Sequence, residues 1–226
     1  MNILDGDFDK YCCSRNVFDM VVRSGYRKYT IAFMEPNIMY GKKLYRIIAT
    51  RNFGNVRIGD IGGFVEDRYN TLSHDGGCWI GDNAIALNGV KISDDAQVYG
   101  DAVLDGNMDV CGRAKVYEHA WLYTVDRDER DPRFSYRHIE IRDDAQIHGH
   151  ARVGAYSLCI GGNAHLHGNA CVWEARGDVM GGDYGDYMIP KDADELVKCP
   201  EGYTKKRHTL GYEFTLYDCA NSWTLR

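Results

Sequence analysis

A mainly β fold built around a left-handed parallel β-helix is the architecture this sequence predicts, and two interlocking periodicities predict it. Small or apolar residues recur every six positions at Cys78, Ala84, Val90, Ala96, Ala102, Met108, Ala114 and Ala120. Two positions after each comes Ile80, Ala86, Ile92, Val98, Leu104, Val110, Val116 or Leu122. The phase resumes at Ile139/Ile141, Ala145/Ile147, Ala151/Val153, Leu158/Ile160, Ala164/Leu166 and Ala170/Val172, with one extra residue before Leu158. A fixed short period marks a stacked repeat and outranks ordinary propensity reading. Chance alternation in a β-sandwich does not hold one phase over so many units.

In a unit such as Asp95-Ala96-Gln97-Val98-Tyr99-Gly100, strand alternation sends Ala96 and Val98 inward and Gln97 and Tyr99 outward, while Gly100 and Asp101 turn the corner. Three units close a triangular coil. Stacked coils pair their strands at about 4.8 Å, which gives short strands a stability that no single repeat has. Counting by coils puts Val98, Val116, Ile147 and Leu166 in one buried column.

Residues 1–43 leave the repeat. Phe8, Tyr11, Cys12, Phe18, Val21 and Val22 fall near helical spacing, with Asp7 as cap and Gly25 as stop, so one short amphipathic helix is expected. A strand over residues 29–34 follows and ends at Pro36. The segment either covers the open end of the solenoid, whose terminal coil exposes backbone edges, or docks a partner. Residues 44–77 lead into the solenoid, which spans 78–174. Inside it, TVDRDERDPRFSYRH at 124–138 must leave and re-enter at a coil corner as a projecting charged loop. From 175 to 226 the hexapeptide is lost. Helical character over 191–198 and alternation over 209–216 predict a small α+β appendage rich in tyrosine.

Hydrophobic content of 44% can supply a core. The net charge of −6 mixes with 27 Lys and Arg along the chain, so no basic field suited to nucleic acid is expected. No apolar run reaches the roughly 18–20 residues of a membrane span, and MNILDGDFDK lacks the basic-then-apolar order of a signal peptide, so a cytoplasmic location is expected. Cys78, Cys111, Cys159 and Cys171 fall in repeat slots without paired C-x-x-C spacing, which favours free thiols over disulfides or a structural zinc.

The lead-in carries Tyr45-Arg46-Ile47, Ala49-Thr50-Arg51, Phe53-Gly54, Gly59-Asp60-Ile61-Gly62-Gly63-Phe64-Val65-Glu66 and Leu72-Ser73-His74-Asp75-Gly76. With these motifs, residues 44–173 resemble the bacterial and prophage hexapeptide-repeat proteins, a family mostly of undefined activity that shares its coil architecture with hexapeptide acyltransferases. The resemblance implies the fold. It also implies a phage or mobile-element origin, from which a host protein, such as an enzyme or defence complex, is the expected partner.

Coil counting also stacks outward side chains. One face carries Gly81, Tyr99, Tyr117, His148 and His167 in successive coils, beside Trp79, Gln97, Lys115, Gln146 and His165. Four readings compete for this ladder. It stabilises adjacent strands; or Tyr99, Tyr117, His148 and His167 form a recognition surface for a protein or a second copy of the chain, rimmed by the loop charges Arg127, Asp128, Arg130 and Asp131. Alternatively His148 is the general base of a trimeric acyltransferase, or three histidines hold zinc. No cofactor and no metal are expected, because few histidines converge and no carboxylate stands in the adjoining slots. His119, His138 and His208 show no partner. The reading that results is a non-enzymatic binding module, with the acyltransferase as its alternative.

Overall fold

The computed structural model describes residues 27–32, 36–67, 71–125 and 137–185 and, beyond them, the backbones of short C-terminal strands. Strands β1 (Tyr29–Ile31), β2 (Asn37–Met39), β3 (Lys42–Ala49) and β4 (Ile61–Val65) form the lead-in. The coils follow as β5 (Trp79–Ile80), β6 (Ile85–Leu87), β7 (Lys91–Ile92), β8 (Gln97–Val98), β9 (Val103–Asp105), β10 (Met108–Val110), β11 (Lys115–Val116), β12 (Trp121–Thr124), β13 (His138–Ile141), β14 (Gln146–Ile147), β15 (Arg152–Gly161), β16 (His165–His167), β17 (Cys171–Met180) and β18 (Asp183–Gly185). Among the described residues there is no helix, and none long and apolar enough to cross a membrane. The helix expected within residues 7–25 lies outside them.

From β5 to β14 every third strand stacks in parallel on the one a coil before it, and β15 and β17 then each span two faces, which makes a solenoid of about five turns. The first face is a six-stranded sheet in the order β5-β8-β11-β14-β16-β18. The second runs β4-β6-β9-β12 into the first half of β15 and then β17; the third runs β7-β10-β13 into the second halves of the same two strands. Val98, Val116, Ile147 and Leu166 are in direct register and fully buried, as the coil count predicts. The solenoid therefore has one continuous core, made of two inward residues per unit.

The corners explain where glycine and aspartate fall. Asp82, Asn88, Asp94, Gly100, Gly112, Glu118, Asp143, Gly149, Gly162 and Gly168 all have positive φ, the conformation that turns one face into the next. Carboxylates in these slots cap the coil above: Asp82, Asp94, Glu118 and Asp143 accept the backbone N–H of Gly100, Gly112, Gly149 and Gly162 at 2.8–2.9 Å. Close approach demands glycine at three of these positions, since a Cβ on Gly100, Gly112 or Gly149 would stand 2.8 Å from a backbone nitrogen of the next coil.

The charged loop leaves after β12 and returns at β13 with the phase intact, since Met108 pairs with Ile139. Residues 126–136, and with them Arg127, Asp128, Arg130 and Asp131, lie outside the described residues.

The lead-in works as an incomplete coil. β4 pairs in parallel with β6 on the second face, and Leu72 bridges Ile92 on the third. β3 and β1 then add antiparallel strands to the second face. The strand expected over 29–34 is thus present as β1. Lys28 is fully buried, its ammonium donating to Asp75 O and Cys78 Sγ at 3.1 Å and lying 4.9 Å from the Phe53 ring centre. Tyr29 stacks on His74, whose Nδ1 accepts the Lys28 N–H. The Leu72–Gly76 motif is thereby a scaffold for the first coil. Trp79, read as outward from its slot, is buried instead, because Phe53 and Gly62 of the lead-in close over it.

Stacking continues past residue 174, where the hexapeptide pattern stops: β18 pairs with β16, and β19 (Tyr187–Ile189) pairs with β17. β20 (Val197–Lys198) runs antiparallel to β19, so the end of the segment expected to be helical is a strand that satisfies an open sheet edge. β21 (Tyr203–Arg207) and β22 (Glu213–Tyr217) form a hairpin, the second overlapping the strand expected over 209–216.

Candidate functional site

The outer side of the first face holds the ladder in the predicted register. Trp79, Gln97, Lys115, Gln146 and His165 stand opposite one another from coil to coil, and the next coil adds Asp183 to the same column. One residue further along each strand, Tyr99, Tyr117, His148 and His167 form the second column, between Gly81 at one end and Gly185 at the other.

The rings stack because neighbouring strands place them at close to the spacing of aromatic contact. Tyr99 and Tyr117 are 4.9 Å apart between centroids and Tyr117 and His148 are 4.4 Å apart, each pair within 6° of parallel. Burial against one another holds both phenols above their ordinary pKa, helped by Tyr117 in the case of Tyr99 and by Glu118 in the case of Tyr117. Beyond Tyr117 the ladder becomes three imidazoles: His148 lies 4.9 Å from His165 and 5.7 Å from His167, and those two are 4.7 Å apart.

Polar contacts link these rings into a chain. Glu118 Oε2 is 3.3 Å from His148 Nδ1 and accepts the Gly149 N–H at 2.9 Å. The hydrogen bond to His148, then that to Gly149, holds the Glu118 carboxyl below its ordinary pKa. His148 Nε2 is 2.7 Å from His165 Nε2. His165 Nδ1 is 2.9 Å and His167 Nε2 3.0 Å from Asp183 Oδ1. Glu118 is also one of two non-glycine, non-Asx residues with positive φ among the described residues, at 58°. A backbone conformation uncommon for glutamate is kept where its carboxylate reaches a histidine.

No family model matches the chain. It is 36% identical over 90 residues to an uncharacterized acetyltransferase, YdcK, of Escherichia coli strain K12, a match that takes in 36% of this chain and 27% of that protein. The chain thus spans little more than a quarter of the length of that relative. In sequence and coil architecture it resembles the hexapeptide-repeat, left-handed β-helix proteins.

Of the site residues read from the sequence, Tyr99, Tyr117, His148 and His167 are brought together. Two residues essential to the cluster were missed. Glu118 sits in a corner slot, which strand alternation treats as a turn, and Asp183 follows the last recognisable unit, so no carboxylate was expected beside the histidines. Counting one further coil from His165 would have found it. His119 and His138 also have partners: His119 stacks on His150 with Asp101 at 3.5 Å, and His138 lies 3.5 Å from Asp109. An open groove lined by Lys42, Tyr45, Glu66, Asn88 and Lys91 shares no residue with the ladder.

Proposed function

We propose that the protein is an acyltransferase on a left-handed hexapeptide-repeat scaffold, with His148 as general base toward an acceptor hydroxyl or amine. The observation that carries this reading is the Glu118–His148 pair. An ionised carboxylate at His148 Nδ1 accepts its N–H and leaves the Nε2 lone pair for a substrate proton. His165 Nε2, 2.7 Å from that lone pair, marks where an acceptor oxygen or nitrogen would stand. His165 has about a third of its side chain exposed and can turn aside to admit it.

As the acceptor atom bonds to the carbonyl carbon of an acyl thioester, His148 takes its proton. The tetrahedral intermediate then expels the thiolate, which is protonated in turn, so charge and protons balance. The likeness to an acetyltransferase supports acetyl as the acyl group and favours transfer over a purely binding role.

The test is release of free coenzyme A from acetyl-coenzyme A in the presence of amino sugars, polyamines and hydroxyl acceptors. Transfer that falls roughly 100- to 10,000-fold in His148→Ala is expected. Turnover unchanged in that variant, or no transfer to any acceptor class, would sink the reading.

A second reading, in which the same face docks a protein partner or another copy of the chain, is favoured by the half-exposed Tyr99–Tyr117 stack. Tyr99→Ala and Tyr117→Ala would then speed dissociation from that partner while the fold survives.

A further inference from the structure

We infer that His165 Nδ1, His167 Nε2 and Asp183 Oδ1 bind a divalent first-row cation of the zinc type, with His148 and Glu118 as its outer support.

Placement is the first argument. His165 and His167 alternate onto the outer side of β16, and Asp183 stands opposite His165 in β18, so three ligands project from two paired strands. Their donor atoms lie within 4.8 Å of one another. Bonds of about 2.0–2.1 Å in a tetrahedron put ligand atoms about 3.3 Å apart, within a few tenths of the 2.9 and 3.0 Å contacts already present. Two imidazoles and a carboxylate are a donor set for zinc. The exposed Asp183 side leaves a fourth position open to water.

The chain of contacts behind the ligands is the second. His148 and His165 link Glu118 to Asp183 through contacts of 3.3, 2.7 and 2.9 Å. A cation between His165 Nδ1 and Asp183 fits the end of that chain. His165 Nε2–H then donates to His148 Nε2, and His148 Nδ1–H donates to Glu118. This is the pattern in which a metal-bound histidine is oriented by its other ring nitrogen.

Gly185 is the third. It stands opposite His167, its φ is not in the left-handed region, and a Cβ there would meet the His167 ring, with Nε2 at 2.9 Å and Nδ1 at 3.0 Å. Glycine there leaves the ring its place beside Asp183, from which a Cβ would push it.

The inference does not rest on acyl transfer, because metal content is measured without turnover. The two meet at one point: a metal-bound His165 keeps its N–H on His148, so the loaded protein should transfer more slowly.

The experiment uses the full chain without a histidine tag, stripped with chelator and dialysed against zinc chloride, with cobalt(II) chloride as a spectroscopic probe. One zinc per chain and intense visible cobalt bands are expected. Asp183→Asn and His167→Ala should lose stoichiometric zinc, and His148→Ala and Gly185→Ala should weaken it, His148→Ala by roughly 10- to 100-fold. His119→Ala, at the separate His119–His150 stack, should leave it unchanged. No retained zinc would overturn the proposal. So would zinc that persists in Asp183→Asn and His167→Ala, or that is lost in His119→Ala. All five variants alter positions outside the core, and circular dichroism is the check that each still folds.

Discussion

Val98, Val116, Ile147 and Leu166 line the inner side of the first face, while Tyr99, Tyr117, His148 and His167, one residue further along the same chain, line its outer side. Inside, each residue meets the same surroundings in every coil, so close packing confines the choice to branched aliphatics of similar volume. Outside, the repeat supplies a fixed spacing of about 4.8 Å but leaves the side chain free. The column therefore changes from phenol to imidazole, and its neighbour ends in a carboxylate, without disturbing the backbone. Chemistry accumulates where register is enforced and identity is not.

The contrast is sharpest in a truncation of the inner column. Leu166→Ala should lower stability by about 2–5 kcal/mol, through lost burial and the cavity left between coils, read from the denaturant midpoint. A loss under about 1 kcal/mol would mean that the column is not close-packed there. Gly100→Ala tests the corners that keep both columns aligned. Its φ of 72° and the approach of Glu118 backbone predict a cost of about 1–3 kcal/mol, whereas Gly81→Ala, with a Cβ 3.4 Å from the Tyr99 side chain and no nearer neighbour, should be tolerated.

Tyr29 extends the comparison to the lead-in. Burial pushes its phenol up to about 12, and its O–H donates to Leu72 O. A phenol held neutral in the fold contributes stability that is whole below the unfolded pKa near 10 and is lost as pH rises toward about 12. The wild type should lose on the order of 2 kcal/mol over that window, and Tyr29→Phe should lack this component of the alkaline slope in pH-dependent unfolding. The smallest effect belongs to the outer ladder. Tyr117→Ala removes two ring contacts but no core volume, and about 0.5–1 kcal/mol is expected. A cost as large as that of Leu166→Ala would show the outer stack to be part of the core.

The charged loop illustrates how the reading divides. The unbroken phase put Met108 and Ile139 at equivalent places in successive coils, and the two pair. The burial of Trp79 did not follow, because it depends on Phe53 and Gly62, which lie outside the repeat and reach the first coil by folding back over it.

Everything that recurs with the period was legible in the chain: the three-sided coil, the inner column and the order of rings on the outer ladder. These rest on strand alternation and on a constant number of residues per turn, both of which are local. Not legible there was that Glu118 leans from a left-handed corner onto His148 of the next coil, or that stacking runs on to set Asp183 against His165 and His167. Contacts between a corner and the coil above it depend on backbone direction at the turn, and the last coil forms because an open sheet edge pairs with whatever chain follows, whether or not that chain keeps the pattern.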